Sequence, residues 1–327
     1  VRNDIFGLAK QTGLGTKQTV MEYFPPVETV SPGASRETLE EEETTGTRFP
    51  TGIEYGTQFW EVQVEGAARF NSLPRLLSGF LCAPVTTTPD GTGAPTGRNH
   101  AFDVAAPGAA PVPHSMFVVR RDPSPPIVDL FWDALGNELE LSVEPNGFVR
   151  YAAGYVAREL DDGQPAPSPT LDVSKRIPFD LCKAHLSVDD GPETEVAVAG
   201  FSLAYSNSID TDEAVLGSRR LFTVEPGNAT AEVTFMPRQG LEEHYRRALQ
   251  DDPASVRIRL EALGAVIGAA VRYKLEVIVH SCEYVDAPAE INAAERLKSI
   301  EVTARARYDD TSSKFVTVNV VNEINAY

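Results

Sequence analysis

Apolar and polar positions alternate along most of this chain. In residues 58–65, Trp60, Val62 and Val64 fall on one side and Glu61, Gln63 and Glu65 on the other. That is the period of a half-buried strand. Residues 138–143 repeat the pattern, followed by a Pro-Asn-Gly turn and a further strand over 148–160. The same alternation predicts strands at 195–205, 231–235, 256–260, 272–280, 300–308 and 315–321. Only two runs have helical spacing, 73–82 and 239–250. The second carries Glu242 and Glu243 early and Arg246 and Arg247 late, the order that complements a helix dipole. The chain is therefore expected to be mainly β.

The pattern is also written twice. Phe70, Leu76 and Phe80, at the entry to the first helix, stand 165 positions before Phe235, Leu241 and Tyr245. Phe148 and Phe315, each following a turn and opening a strand, stand 167 apart. Half of 327 residues is close to this period, which implies two similar domains. The expected division is 1–163, a linker at 164–172, and 173–327, because residues 161–169 read Asp-Asp-Gly-Gln-Pro-Ala-Pro-Ser-Pro. Such a stretch does not sit inside a sheet. Each half is long enough for a core of its own. Two other segments read as irregular: 30–57, which contains Glu40 to Glu43, and 86–114, rich in Gly, Pro and Ala. Loops of that length usually have a function or are disordered.

Charge narrows the picture. The net charge is −18, from 47 acidic and 29 basic residues. Such a surface does not hold nucleic acid through its phosphates, which needs Lys and Arg to release counterions. Nor does it suit an anionic membrane. No apolar run is long enough for a bilayer span, and no signal-peptide pattern stands at Val1. The three cysteines, Cys82, Cys182 and Cys282, are too few and odd in number for a disulfide framework. Without a secretory signal, the Asn228-Ala229-Thr230 match to a glycosylation site carries little weight.

Catalytic signals are lacking. Gly91 to Gly97 has the glycines of a phosphate loop but no Lys-Ser/Thr ending, and Pro95 interrupts it. His100, His114, His185, His244 and His280 show no metal-ligand spacing. His280 and Cys282 alternate within a strand and read as packing residues. No catalytic residue, metal ligand or cofactor is expected. The Glu61, Gln63 and Glu65 face reads either as the solvent side of a sheet or as a polar wall inside a tube.

The order of several motifs resembles the tail tube proteins of tailed bacteriophages. The first are Gly-Leu-Ala-Lys-Gln-Thr-Gly-Leu-Gly-Thr at 7–16, an extended segment ending in Pro25, and Arg-Glu-Thr-Leu-Glu at 36–40. Gly46-Thr47-Arg48 follows, and then Val64-Glu65-Gly66, running into the Leu73-Pro74-Arg75-Leu76-Leu77 helix. Phe-Ser-Leu-Ala-Tyr-Ser-Asn at 201–207 and Leu-Gly-Ser-Arg-Arg at 216–220 are similar to the later portion of that family. The resemblance implies two tandem β-sandwich or barrel domains, each with one flanking helix. It implies no catalytic residue. Its single-domain members form hexameric rings whose strands pair into an inner barrel, so a doubled chain would need three copies per ring. The rings would stack into a conduit for DNA ejection, with DNA passing through the lumen without specific binding. Partners would be other copies of the chain and the tape measure, terminator and distal tail proteins. The setting would be the virion tail of a siphophage type, assembled in the host bacterial cytoplasm and not on a membrane. On this reading the lumen candidates are Glu61, Gln63, Glu65, Thr230, Glu232 and Thr234. The ring-stacking candidates are Glu40, Glu41, Glu42, Glu43, Thr44 and Thr45. Rival readings are a head–tail connector or decoration protein, a contractile or secretion-type tube, and a carbohydrate-binding or hydrolytic β-sandwich.

Overall fold

A computed structural model of the chain describes residues 4–40, 53–89, 97–121, 125–167, 169, 171–172, 174–189, 191–211, 216, 218–249, 255–267, 271–286, 300–325 and 327. The first half contains β1 (Ile5–Lys10), β2 (Thr29–Glu40), β3 (Ile53–Ala67), α1 (Leu73–Phe80), β4 (Val85–Thr87), β5 (Arg98–Asp103), β6 (His114–Arg120), β7 (Ile127–Val143) and β8 (Arg150–Asp161). The second half opens with a 3-10 turn at Phe179–Leu181, then β9 (Cys182–Val188), β10 (Thr194–Val196), β11 (Val198–Ser206) and β12 (Thr230–Pro237). It continues with α2 (Leu241–Ala248), β13 (Val256–Val266), β14 (Arg272–Asp286), β15 (Val302–Arg307) and β16 (Val316–Asn322). All the strand pairings are antiparallel and link into one sheet system.

The two halves share a topology. In the first, hairpin β2–β3 leads into α1, hairpin β6–β7 follows, and β8 inserts between β7 and β3. In the second, β11–β12 leads into α2, β13–β14 follows, and β15 inserts between β14 and β12. Even β1 on β6 has its counterpart in β9 on β13. The helices begin 168 positions apart, at Leu73 and Leu241. The spacing then shrinks: β6 ends at Arg120 and β13 at Val266, 146 apart. The difference is the arm that carries β4 and β5, which the second half lacks.

The expected match of Phe148 with Phe315 does not hold. β8 begins at Arg150 and its counterpart begins at Val302. That counterpart is broken after Arg307 and resumes as β16, which pairs with the early part of β14 while β15 pairs with the late part. Phe315 therefore precedes the resumption of a split strand, not its start. The irregular segment expected at 86–114 is also corrected, since it contains β5. Its low-propensity sequence, Arg-Asn-His-Ala-Phe-Asp, is held by burying His100 and Phe102 and by pairing with β16 of the other half. Likewise, 30–57 is in large part the long β2–β3 hairpin. Its first strand escaped the alternation test because its exposed face and its half-covered face carry similarly small or polar residues.

α1 forms where Pro74 sits at the helix start and Leu73, Leu76, Leu77 and Phe80 all turn inward, fully buried. Proline is tolerated there because the first-turn N–H groups have no partner anyway. Most buried apolar side chains of both halves form one large cluster, from Phe6 to Val320, with two smaller clusters around Phe117 and Leu221. The connection between the halves is not free. Ile177 is fully buried and exchanges backbone hydrogen bonds with the first half, to Ala68 (3.0 Å) and from Val149 (2.8 Å).

β7 makes the join. Its early residues pair with β6 up to Ala134 and its late residues pair with β11 from Glu138 onward. The switch falls at an irregularity: Asp133 has a left-handed φ of 52°, and the register with β8 shifts between Gly136 and Glu138. Bulges of this kind re-aim a strand. Buried Asn207 secures the turn. Its Nδ2 donates to the carbonyls of Phe80 and Gly136, both at 2.7 Å, and its Oδ1 accepts from the Tyr205 hydroxyl at 3.1 Å. Asn207→Ala leaves two buried carbonyls unsatisfied, so it is expected to lower unfolding stability by about 2–4 kcal/mol in urea titration. Ser208→Ala, whose residue lies at the exposed end of the same turn, is expected to change it by less than about 0.5 kcal/mol.

Candidate functional site

Each of the predicted polar positions that the structure describes lies at a strand surface. Glu61, Gln63 and Glu65 are exposed on β3, with Trp60, Val62 and Val64 buried behind them. On β12, Thr230 is exposed and Glu232 and Thr234 are half-exposed, with Ala231, Val233 and Phe235 buried. The two sets share one face. Across the strands, Glu65 pairs with Ala152, Ala152 with Glu140, Glu140 with Ala204, Ala204 with Glu232, Glu232 with Arg305, and Arg305 with Glu283. A parallel row runs Gln63, Gly154, Glu138, Ser206, Thr230.

Alternation on β7 had marked Glu138 and Glu140 as polar without showing which face of the sheet they would join. Only pairing β7 with β11 places them between the two predicted sets. Ala152, Gly154 and Ala204 were also missed, because small residues carry no chemical signature. They form the floor of a shallow groove of about 680 Å³, whose lining includes Gln63, Glu138, Glu140, Glu232 and Arg305. At Gly154 an added Cβ would lie 2.9 Å from the Gln63 amide, so this side chain lies flat across the glycine.

The spacing of charge on this face is regular. Directly opposed like charges in a sheet are destabilising. Here Glu140 sits between Ala152 and Ala204, Glu138 between Gly154 and Ser206, and Glu65 between Thr29 and Ala152. Carboxylates along a row are thus two strands apart, about 10 Å, close to the Debye length at 0.1 M salt. Ser202 Oγ donates to Glu140 Oε1 at 3.0 Å. Basic side chains on the face are kept near acids: Arg150 meets Glu28 at 2.5 Å, and Arg307 pairs with Glu283.

Of the stacking candidates, Glu40 is the last residue of β2 and pairs with Ile53, while Glu41 to Thr45 lie outside the described residues. The histidines sit in packing roles. His114 is fully enclosed, and burial drives its pKa down to about 4, with Nδ1–H donating to the Val112 carbonyl at 2.7 Å. His280 bonds Thr317 at 2.9 Å, and burial lowers its pKa. Among the described residues no group of three or more His, Cys, Asp or Glu could hold a metal ion. Trp60 is buried, and Trp132 is half-buried beside Lys17 and Arg158. Neither offers an open aromatic platform.

A concave acidic face spans both halves of this β-rich chain. The family model for phage tail tube protein matches residues 3–268. The chain belongs to the phage tail tube protein family. The match reaches from β1 past the end of β13, so it takes in the acidic face from β3 to β12 and stops short of Arg305 and Glu283. No curated protein matches the chain. Membership makes this a structural component of a phage tail, one that assembles with copies of itself and with other tail proteins. Among the described residues, no helix is long and apolar enough to cross a membrane.

The acidic face itself can be tested on the isolated chain. Replacing Glu61, Glu65 and Glu140 together by Lys is expected to change unfolding stability by no more than about 1 kcal/mol, because all three are exposed and none lies directly opposite a basic residue. It is also expected to create duplex DNA binding in mobility-shift assays at low salt, lost steeply as salt is raised. The unaltered chain is expected to show none.

Proposed function

We propose that this protein is the major tail tube protein of a siphophage-type tail. On this reading it forms rings of three chains that stack into the conduit through which phage DNA leaves. The observation that carries this reading is the row of carboxylates and small residues from Glu65 to Glu232, continuous across both halves on a concave surface. Turned inward, it repels phosphates at regular intervals and leaves the counterions on the DNA, so DNA slides without sticking. Glu61, Gln63, Glu65, Thr230, Glu232 and Thr234, joined by Glu138 and Glu140, are then lumen residues.

Three copies follow from the doubled topology. We assign one tube domain to each half, with the crossover between β8 and the 3-10 turn, so that three chains supply six domains to a ring. The expected result from native mass spectrometry of a single ring, or from the symmetry of a cryo-EM reconstruction, is three chains. Six chains would overturn the proposal.

The β2–β3 hairpin is assigned to contacts between stacked rings. Beyond Trp60, where β3 leaves β8, it projects as a two-stranded ribbon from Ser35 opposite Phe59 to Glu40 opposite Ile53. Deletion of 38–46 is expected to leave a folded chain by circular dichroism and to abolish long tubes by negative-stain microscopy. Tubes of normal length would remove the hairpin from this role. The tape measure, terminator and distal tail proteins are the remaining partners this reading assigns, at the ends and within the lumen of the tube.

A further inference from the structure

The join between the halves has an unfilled counterpart. In the first half Gln63 pairs with Gly154 and Gly154 with Glu138, while Glu65 leads through Ala152 to Glu140. In the second half Glu232 leads through Arg305 to Glu283, and Thr234 through Thr303 to Asp286. Glu138 and Glu140 on β7 therefore correspond to Glu283 and Asp286 on β14. On the hairpins, Thr29, Ser31 and Gly33 of β2 oppose Glu65, Gln63 and Glu61, just as Ser202, Ala204 and Ser206 of β11 oppose Thr234, Glu232 and Thr230.

Within the chain, β7 and β11 meet with Glu140 opposite Ala204 and Glu138 opposite Ser206. Their counterparts, β14 and β2, do not meet. Among the described residues, β2 pairs on one side only. The β14 pairing with β13 stops at Cys282, leaving Glu283–Asp286 with β15 alone. The coverage of side chains differs accordingly. Leu203 and Tyr205 on β11 are buried, whereas Val30 and Pro32 on β2 are half-covered and Val285 on β14 is 52% exposed.

We infer that β14 of one chain pairs antiparallel with β2 of the next copy, with Asp286 opposite Ser31 and Glu283 opposite Gly33. The inference rests on the tube reading above and adds to it the edges and the register. Transferring the in-chain register brings each carboxylate opposite a small neutral residue, as it does at the internal join, and not opposite a like charge. It carries the lumen rows from one chain into the next and covers Val285. Nothing lies within 4 Å of a Cβ added at Gly33, so the sheet face beside it has room for the Glu283 side chain. Pro32 has no N–H to offer. A strand edge with that gap is less able to pair at random, so the specific carboxylate register matters more.

The test uses the full chain with Ser31→Cys and Asp286→Cys together in a Cys182→Ala background, assembled into tubes and then oxidised. Non-reducing gels are expected to show covalent species ending at three chains, with each single variant running as a monomer. A ladder ending at six supports the edge pairing and overturns the three-chain ring. Tubes that form but give no cross-link overturn the pairing. A second variant covers failure of the cysteine pair to assemble. Gly33→Glu brings a carboxylate against Glu283 of the neighbour, so tube formation is expected to need at least about tenfold more protein, and Glu283→Lys in the same chain is expected to reverse this. Gly33→Glu tubes forming at the unmodified concentration would overturn the register.

Discussion

A β-sheet cannot simply stop inside a protein without leaving a row of backbone donors and acceptors unpaired. That constraint organises this chain. At the midpoint the first half would end in an exposed β7 edge and the second would begin with an exposed β11 edge. Pairing Glu138–Val143 with 201–206 removes both. The left-handed Asp133 and the register shift at Gly136 let one strand serve β6 at its start and β11 at its end. The main apolar cluster, shared by both halves, and the unbroken acidic face both follow from that pairing. Asn207 supports it from beneath, by satisfying carbonyls of α1 and β7 that the bend leaves without strand partners.

Much of the architecture was legible in local pattern. The two helices were read at 73–82 and 239–250 and found at Leu73–Phe80 and Leu241–Ala248, because burial or charge order marks each. Strands with one wet face, such as β3 and β12, betray themselves by period two. What stayed hidden depends on partners far away in sequence. β5 has little strand character and forms because β16, more than 200 residues later, offers it an edge. β2 is polar or small on both faces, so its alternation carries no contrast. The split of the last long strand into β15 and β16 shifted the apparent repeat and produced the false match at Phe148 and Phe315.

The site was half legible for the same reason. Glu61, Gln63 and Glu65 could be placed on one face of their own strand, and Thr230, Glu232 and Thr234 on one face of theirs. That these are the same face is a fact of pairing, which no single strand records. The contributions of Ala152, Gly154 and Ala204 are steric and electrostatic at once: they lower the floor of the groove and keep carboxylates along a row about 10 Å apart. A face built this way is strongly negative without any one contact being costly, which reconciles a net charge of −18 with a closely paired sheet.

The arm that carries β5 has a consequence for the order in which the molecule is made. β5 leaves the first half early in the chain and pairs there with β4, yet its other strand partner, β16, lies more than 200 residues further on. Synthesis proceeds from the N-terminus and domains fold as they emerge. A growing chain therefore carries His100 and Phe102 without the long strand that covers one edge of β5 until the second half has been added. Completion of the second half is what closes the first, and a product truncated before β16 is left with an open arm in place of a finished surface.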